Sequence, residues 1–387
     1  MLQQNKMSET KANSAWRGAG PGDAHQLPSR YYYDETLHRE ELDKIVYPGW
    51  HMVCHKNEIP EIGDYVLLDI CGQSIFVVRT ADHEIAGFHN VCQHRGTLLL
   101  QAPRGKVNRT IRCPNHAWCY GFDGALRSAP AARDVEGFDR SKYSLKRVLV
   151  EEVMHCVFVN MDLNASSLGE SIPGAAELMA ERIPDLADMQ LISENSYDVA
   201  ANWKIVIENA IEGYHFKLSD MGPYHQQLIQ HINCKEYDPK AYGKFWIYQG
   251  HRGERLTEAY GKPVGDEPFQ TEWFFNMQIW PMTTLFTFPY VDFFGTFNLM
   301  PLGPEKTRVG FNYYHPDREV SDVTRACIEF QTNLLGPEDI ALNELQQRGM
   351  RSFGYDAGPY MVNEARKDWS EHLLHHFHAL IHEAMAG

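Results

Sequence analysis

Two short segments each place a cysteine and a histidine close together, in the patterns Cys92-x-His94 and Cys113-x-x-His116. Each segment offers a soft thiolate and a borderline imidazole, so the set supplies two sulfur and two nitrogen donors. Two kinds of metal centre take such a set. Zinc would bind all four donors in one tetrahedron. A 2Fe–2S cluster would carry both thiolates on one iron and both imidazoles on the other.

The spacing within the two segments favours the cluster over zinc. A Cys-x-His half is shorter than the Cys-x2–4-Cys and His-x3–5-His halves that are usual in zinc modules. Both segments also lie in a strand-rich region, where two loop tips can clamp a cluster between them. A zinc site and four unrelated residues remain the alternatives. Cys119 lies nearby but outside the pattern and is interpreted as a packing residue.

The stretches Cys92–Gly96 and Cys113–Trp118 resemble the two halves of the Rieske motif in ring-hydroxylating and related oxygenases. The resemblance implies that Cys92 and Cys113 hold one iron of the cluster, and that His94 and His116 hold the other. It further implies a catalytic alpha subunit with a second, mononuclear Fe(2+) that activates O2. NAD(P)H would supply electrons through a separate reductase component, since the chain lacks a Gly-rich dinucleotide fingerprint.

The segment 202–215 resembles the start of the mononuclear-iron motif in the same family. Iron(II) in oxygenases is typically held by two histidines and one carboxylate, which leaves positions open for dioxygen. The resemblance assigns His215 to the iron. It assigns Glu212 to the acid that bridges this iron to a cluster histidine of the neighbouring subunit in trimeric enzymes. The spacing predicts that Glu212 and His215 share one turn of a helix.

The second histidine departs from the family pattern, in which it follows the first by five or six residues. The fifth position here is Asp220, and the next histidine is His225, beyond the pair Gly222-Pro223. A Gly-Pro pair ends a helix and allows a longer excursion before the ligand. We therefore predict His225 as the second iron ligand, with Asp220 and His231 as alternatives.

The carboxylate is expected far along the chain, where the segment 336–340 opens a predicted helix. This segment resembles the third-ligand segment of the family, and Asp339 is the predicted ligand. Acidic residues at a helix start are also explained by the helix dipole alone. Three histidines of the last predicted helix, His375, His378 and His382, have metal-compatible spacing. We interpret them as surface or partly buried residues, because nothing in the sequence supplies them with a carboxylate.

The order of strand-like and helix-like segments predicts an α+β protein of two units. Residues 1–45 are interpreted as a lead-in that packs on the catalytic domain, 46–162 as an antiparallel β Rieske domain, and 163–387 as the catalytic domain. The family resemblance implies a helix-grip (START-like) catalytic fold with an antiparallel sheet and long helices. Helices are predicted at Leu168–Leu186, Asn202–Leu218, Val323–Leu335, Glu338–Arg348 and Ser370–Met385.

The composition argues against nucleic acid and membranes as binding partners. Acidic residues outnumber basic ones, 51 to 36, and the net charge of −15 argues against nucleic acid. No stretch approaches the roughly 18 apolar residues of a membrane span, and the polar start lacks a signal peptide. We therefore expect a cytoplasmic protein whose eight cysteines are free, metal-bound or catalytic. The family resemblance implies a homotrimer.

Residues 273–297 are unusually aromatic, with ten aromatic side chains in 25 positions. Most are predicted to be sheet core, and some are predicted to line a pocket for a small organic substrate. Together with Glu212, they favour the quaternary-amine branch of the family, whose members act on betaine-like compounds. Hydroxylation or oxidative demethylation is the predicted reaction. A ring-hydroxylating oxygenase acting on an aromatic acid, a non-catalytic Rieske electron carrier and a zinc-stabilised binding protein are the alternatives.

Overall fold

The computed structural model describes residues 20–81, 84–218, 220, 222–265, 271–317 and 319–386. The first nineteen residues of the predicted lead-in lie outside the described residues. Within the described part of the chain, every helix is too short or too polar to span a membrane.

The amino-terminal part is built of short strands: β1 His51–His55, β2 Asp64–Ile70, β3 Gln73–Ala81, β4 Glu84–His89, β5 Arg104–Lys106, β6 Ile111–Arg112, β7 Cys119–Tyr120, β8 Leu126–Ser128, β9 Arg147–Val153 and β10 Cys156–Asn160. Seven of them form an antiparallel sheet in the order β1-β10-β9-β4-β3-β2-β5, and β6, β7 and β8 form a second, small sheet. Cys71 and Gly72 join β2 to β3 with φ of 49° and 86°. Two successive positive φ values fit a type I′ hairpin turn, in which glycine is favoured because it adopts positive φ without strain.

Ten further strands follow: β11 Gln190–Val199, β12 Cys234–Tyr237, β13 Lys240–Tyr242, β14 Phe245–Arg252, β15 Glu258–Ala259, β16 Lys262–Pro263, β17 Trp273–Ile279, β18 Thr283–Thr287, β19 Phe294–Gly303 and β20 Lys306–His315. Eight of them form a larger antiparallel sheet. Its strand order is β11-β20-β19-β18-β17-β14-β12, with β13 paired to β14. Strands β15 and β16 pair separately.

The helices lie before, within and after this sheet in the sequence: α1 Glu35–Glu41, α2 Leu168–Ser171, α3 Ala175–Arg182, α4 Trp203–Ala210, α5 Tyr214–Leu218, α6 Pro223–Ile232, α7 Asp322–Phe330, α8 Gly336–Met350 and α9 His372–Ala386. A π-helical turn, Gln331–Leu335, leads directly into α8. The predicted α+β class, with antiparallel sheets and helices, is confirmed.

The helix predicted over Asn202–Leu218 is wrong in one respect: the chain breaks it into α4 and α5. Glu212 lies in the break, and its carboxylate accepts hydrogen bonds from the backbone N–H groups of Tyr214 and His215. A carboxylate at this position satisfies N–H groups that the first turn of a helix leaves free. Glu212 therefore precedes the helix of His215 and caps it, rather than sharing its turn.

The prediction that Gly222-Pro223 ends a helix is also revised, because Pro223 is the first residue of α6. Proline suits this position, since its missing N–H group would have no partner within the helix and its φ is already helical. His225 consequently lies in the first turn of a helix, as His215 does.

Two buried contacts fix α4 against the amino-terminal segment. The Lys204 ammonium lies 2.7 Å from Glu41 Oε1 of α1, and both side chains are fully buried. The Tyr32 hydroxyl donates to Glu208 Oε1 at 2.7 Å. The segment before β1 thus helps to hold the helix that leads to Glu212.

Candidate iron centres and substrate cavity

Two tight loops carry the predicted cluster ligands. The first follows β4 and closes with a hydrogen bond from Gly96 N to Cys92 O, at 3.0 Å. The second joins β6 to β7 and closes in the same way, from Ala117 N to Cys113 O at 3.1 Å. Gly96 and Ala117 both have positive φ, 69° and 58°. The two Cys-to-His segments therefore form similar turns, as a pair of loop tips around one cofactor requires.

The four predicted ligands meet in pairs by residue type. Cys92 and Cys113 are free, buried thiols close enough to influence each other's protonation. The rings of His94 and His116 lie 4.8 Å apart, centroid to centroid. Pairing by type fits a 2Fe–2S cluster, with one iron on sulfur and one on nitrogen, better than a single zinc ion, which would draw all four donors into one tetrahedron.

Two aromatic residues, Trp118 and Tyr120, contact the first of these loops. Trp118 stacks on the His94 ring at 4.9 Å, with an interplanar angle of 8°. The Tyr120 hydroxyl lies 3.3 Å from Cys92 Sγ and accepts a hydrogen bond from Gln93 N at 3.0 Å. Burial and the neighbouring Cys92 sulfur raise the pKa of Tyr120. The hydroxyl is therefore protonated at neutral pH and can donate a hydrogen bond to the sulfur.

The two thiols differ in their electrostatic surroundings. Burial raises the pKa of Cys92, although Tyr120 and the backbone N–H of His94 oppose it. Burial acts in the same direction on Cys113, but the backbone N–H groups of Asn115 and His116 outweigh it and lower the pKa of Cys113. N–H groups aimed at sulfur stabilise a thiolate, which is the form that binds iron.

The predicted mononuclear site is brought together by three separate helices. Among the described residues, His215, His225 and Asp339 are the one group of His, Cys or acidic side chains whose ligand atoms all lie within 4.8 Å of one another. Asp339 Oδ1 lies 3.1 Å from His225 Nε2 and 3.9 Å from His215 Nε2. This oxygen is buried, and the Nε2 atoms of the two histidines are the groups that face it. Two imidazoles and a carboxylate oxygen that converge in this way are the donor set expected for iron(II).

Each histidine of this group is held through its other ring nitrogen by a glutamate. Glu212 Oε1 contacts His215 Nδ1, and Glu338 Oε1 contacts His225 Nδ1. Contacts of this kind fix the tautomer and the ring orientation, and they turn Nε2 toward the position that a metal would take. Burial lowers the pKa of His225, but the carboxylates of Asp339 and Glu338 outweigh it and hold this pKa above its usual value.

Sequence reasoning missed Glu338. The segment 336–340 was identified as the source of the carboxylate ligand, but only Asp339 was assigned a role, and the contact of Glu338 with His225 was not predicted. The informative signal is the position of Glu338 and Asp339 in the first turn of a helix, which directs neighbouring side chains to different sides. The alternatives to His225 lie elsewhere: Asp220 is exposed, and His231 packs against Tyr260, whose backbone N–H donates to His231 Nδ1.

A cavity of about 120 Å³ adjoins the three candidate iron ligands. Its apolar lining consists of aliphatic side chains and seven aromatic rings, which are Tyr197, Phe216, Phe274, Phe286, Phe288, Phe297 and Phe311. The polar side chains Asn209, Asn276, Gln331 and Asn343 also reach it. Four of the ten aromatics in segment 273–297 thus line the cavity, and the others contribute to the cores of the sheet.

The interpretation of His378 as a surface or partly buried residue is wrong. Its side chain is fully buried, with Nε2 at 3.0 Å from Glu208 Oε1 and Nδ1 at 2.7 Å from the Tyr360 hydroxyl. No carboxylate for this histidine was found in the sequence. Glu208 supplies one, and it was not recognised because it lies in α4, far from His378 in the sequence. His375 and His382 are partly exposed, as predicted.

A further carboxyl group, Glu371, lies close to this region. Burial raises the pKa of Glu371 to about 7, and the charges of Glu212 and Glu208 add to this effect against a hydrogen bond from Met361 N. The Glu371 side chain is partly buried, and its raised pKa favours the neutral form at a higher pH than for an exposed carboxyl group.

Comparisons with known proteins identify both units. A Rieske [2Fe-2S] domain model matches residues 49–139, and the model of the ring hydroxylating alpha subunit (catalytic domain) matches residues 186–387. The carnitine monooxygenase oxygenase subunit of Escherichia coli (strain K12) is 31% identical over 364 residues, which are 94% of each chain. Chloroplastic choline monooxygenase of Spinacia oleracea is 26% identical, over 94% of this chain and 79% of that protein.

Among solved structures, the quaternary ammonium Rieske monooxygenase CntA with a bound inhibitor superimposes with a TM-score of 0.86. The match has 29% identity and covers 96% of this chain and 98% of that one. The fold and the two donor sets thus define a Rieske non-heme iron oxygenase, with a 2Fe–2S cluster and a mononuclear iron as cofactors. The chain belongs to the family of ring-hydroxylating oxygenase alpha subunits. The alternatives of a lone electron carrier and a zinc-stabilised binding protein are thereby wrong.

Proposed function

We propose that this oxygenase hydroxylates a small quaternary ammonium compound at a carbon bound to the charged nitrogen. One atom of dioxygen enters the C–H bond, and the other leaves as water with two electrons and two protons. The C–N bond of the hydroxylated product then breaks, giving a tertiary amine and an aldehyde. NAD(P)H supplies the electrons through a separate reductase component.

The observation that carries this proposal is the aromatic cavity beside His215, His225 and Asp339. A quaternary ammonium group cannot donate hydrogen bonds, so recognition relies on apolar contact and on the negative faces of aromatic rings. Each such ring contributes roughly 0.5–2 kcal/mol, with the larger values where water is excluded. The names of the relatives support the same substrate class, since carnitine and choline are both quaternary ammonium compounds.

The residues divide into two metal-binding sets in this proposal. Cys92 and Cys113 hold one iron of the cluster and His94 and His116 the other. His215, His225 and Asp339 bind the mononuclear iron, which supplies the dioxygen chemistry when bound. The donor types fit, and Asp339 Oδ1 lies within 4 Å of the Nε2 atoms of both histidines.

Glu212 is proposed to act between these two sites. It contacts His215 directly, and in a ring of three subunits it would face a cluster histidine of the neighbour. The report of a solved relative, 28% identical, describes inter-subunit electron transfer in that protein. The cytoplasmic location and the division of the chain into 1–45, 46–162 and 163–387 remain predictions.

The proposed trimer is tested by light scattering, which measures the mass of the purified protein. A monomer would contradict the ring of three.

The substrate class is tested by two ligands of similar shape, one charged and one neutral, and by an aromatic acid. Choline carries the cation, 3,3-dimethyl-1-butanol replaces its nitrogen by carbon, and benzoate represents an aromatic acid. Oxygen uptake with reductase present and direct calorimetric binding should both favour choline over its neutral analogue. A preference for benzoate would instead support the ring-hydroxylating alternative.

A variant sharpens this test. Phe311→Leu removes one ring from the cavity at similar volume, so we expect the Kd for choline to rise by about two- to thirtyfold, from the loss of one cation–π contact. Binding of the neutral analogue should change less. Phe353→Leu is the matched control, because Phe353 is fully exposed. Equal losses for choline and the neutral analogue would show that the ring contributes only apolar contact.

A further inference from the structure

Glu338 occupies a position that joins the start of one helix to the start of another. Its Oε2 accepts a hydrogen bond from Tyr224 N at 2.8 Å, and its Oε1 accepts one from His225 N at 3.1 Å. Oε1 also contacts Nδ1 of the His225 ring. The Glu338 and His225 side chains are only 4% and 2% exposed. The protein itself therefore sets the orientation of His225.

Helix α6 lacks a cap of its own. Gly222 precedes it and offers no side-chain acceptor, and Pro223 has no N–H group. The first N–H groups that need acceptors belong to Tyr224 and His225, and both are satisfied by Glu338 from α8. A negative charge at this end also interacts favourably with the helix dipole. One carboxylate thus fixes both the backbone and the ring of His225.

Glu338 and Asp339 approach the two ring nitrogens of His225 from opposite sides. Glu338 contacts Nδ1, and Asp339 Oδ1 lies 3.1 Å from Nε2. The π-helical turn Gln331–Leu335 leads into this dipeptide, and π-helical turns often mark functional segments.

We infer that Glu338 is a positioning residue, which acts through His225 to hold the mononuclear iron. This inference rests on the proposed role of His225 as an iron ligand. A carboxylate suits the task because its two oxygens accept from three N–H donors. A glutamine would turn one acceptor into an NH2 donor and leave at least one of these donors without a partner.

Iron binding tests the inference without reference to turnover. Anaerobic equilibrium dialysis against free Fe(II) gives the iron bound beyond that of the cluster, and acid-labile sulfide counts the cluster. Glu338→Gln should raise the Kd for this iron by about tenfold to hundredfold, the usual cost of losing such a partner. Cluster content should stay unchanged. Glu344→Gln is the matched control on the same helix, where Glu344 accepts from Ala200 N.

A double-mutant cycle with His225→Ala separates this inference from the ligand assignment. If Glu338 acts through His225, Glu338→Gln adds little once His225 is gone. Equal losses in both backgrounds, or a Glu338→Gln variant with the original Kd, would overturn the inference. An unchanged Kd in His225→Ala alone would instead refute His225 as a ligand. If Glu338→Gln loses the cluster through misfolding, Glu338→Asp decides: it keeps the charge but shortens the reach, and an unchanged Kd overturns the inference.

Discussion

The hydroxyl of Tyr120 is predicted to raise the reduction potential of the cluster. It accepts from Gln93 N at 3.0 Å, so its proton is directed away from that donor and toward Cys92 Sγ, 3.3 Å away. Reduction adds negative charge to the cluster, and a hydrogen bond to its sulfur then becomes stronger. The reduced form is stabilised more than the oxidised form, which means a higher potential.

The expected size follows from the strength of one such bond. A buried hydrogen bond contributes about 0.5–1.5 kcal/mol net. For a one-electron couple, about 59 mV corresponds to a factor of ten, or about 1.4 kcal/mol. Tyr120→Phe should therefore lower the potential by about 20–65 mV, if the bond contributes mainly to the reduced form.

A redox titration followed by electron paramagnetic resonance of the reduced cluster measures this shift. Tyr143→Phe is the matched control, because it removes a hydroxyl from a ring that meets Trp118 edge-on at 5.8 Å centroid distance. An unchanged potential in Tyr120→Phe, with normal cluster content, would refute the reasoning. So would an equal shift in Tyr143→Phe, since a general change of polarity would then be the cause.

Two further variants test the surroundings of the mononuclear site. Glu212→Gln, assayed at saturating Fe(II) because the contact with His215 Nδ1 is altered, should slow the oxidation of the reduced cluster by about tenfold to hundredfold; an undiminished rate would remove Glu212 from the electron path. Relative to the original protein, the free energy of unfolding of Glu371→Gln should be more favourable at alkaline pH than at acidic pH. The pKa of Glu371 is raised to about 7 in the fold, so the folded state binds more protons than the unfolded one, and stability falls as pH rises from the ordinary carboxyl pKa through this value. Denaturant unfolding at pH 5 and pH 8 gives the free energy of unfolding of the original protein and of the variant. If the difference between the two proteins is the same at both pH values, the raised pKa of Glu371 is contradicted.

The ligand types were predictable because they are local in the sequence. Cys92, His94, Cys113 and His116 lie in two short segments whose spacing limits the choice of metal centre. The α+β class was predictable for a similar reason, since strand-like and helix-like runs follow one another along the chain in a recognisable order. Both kinds of signal depend on neighbours within a few residues.

Contacts between distant segments were not predictable in this way. The carboxylate that binds His378 comes from Glu208, 170 positions earlier, and the one that holds His225 comes from Glu338, 113 positions later. A histidine in an isolated helix gives no sign of either partner. Such pairs arise only when packing excludes water, because a buried imidazole then needs a protein partner.

The unusual distance between His215 and His225 in the sequence has a structural explanation in these long-range pairs. Each histidine lies in the first turn of its own helix, where a glutamate accepts backbone N–H groups and also contacts the ring Nδ1. In the proposed site, the direction of Nε2 is set by this glutamate and by the helix start. The length of the connection between the histidines matters less. A longer connection is therefore compatible with the same donor set, provided that a carboxylate meets each helix start. For His225 that carboxylate comes from Glu338, next to the third proposed ligand, so the first turn of α8 would order two of the three ligands at once.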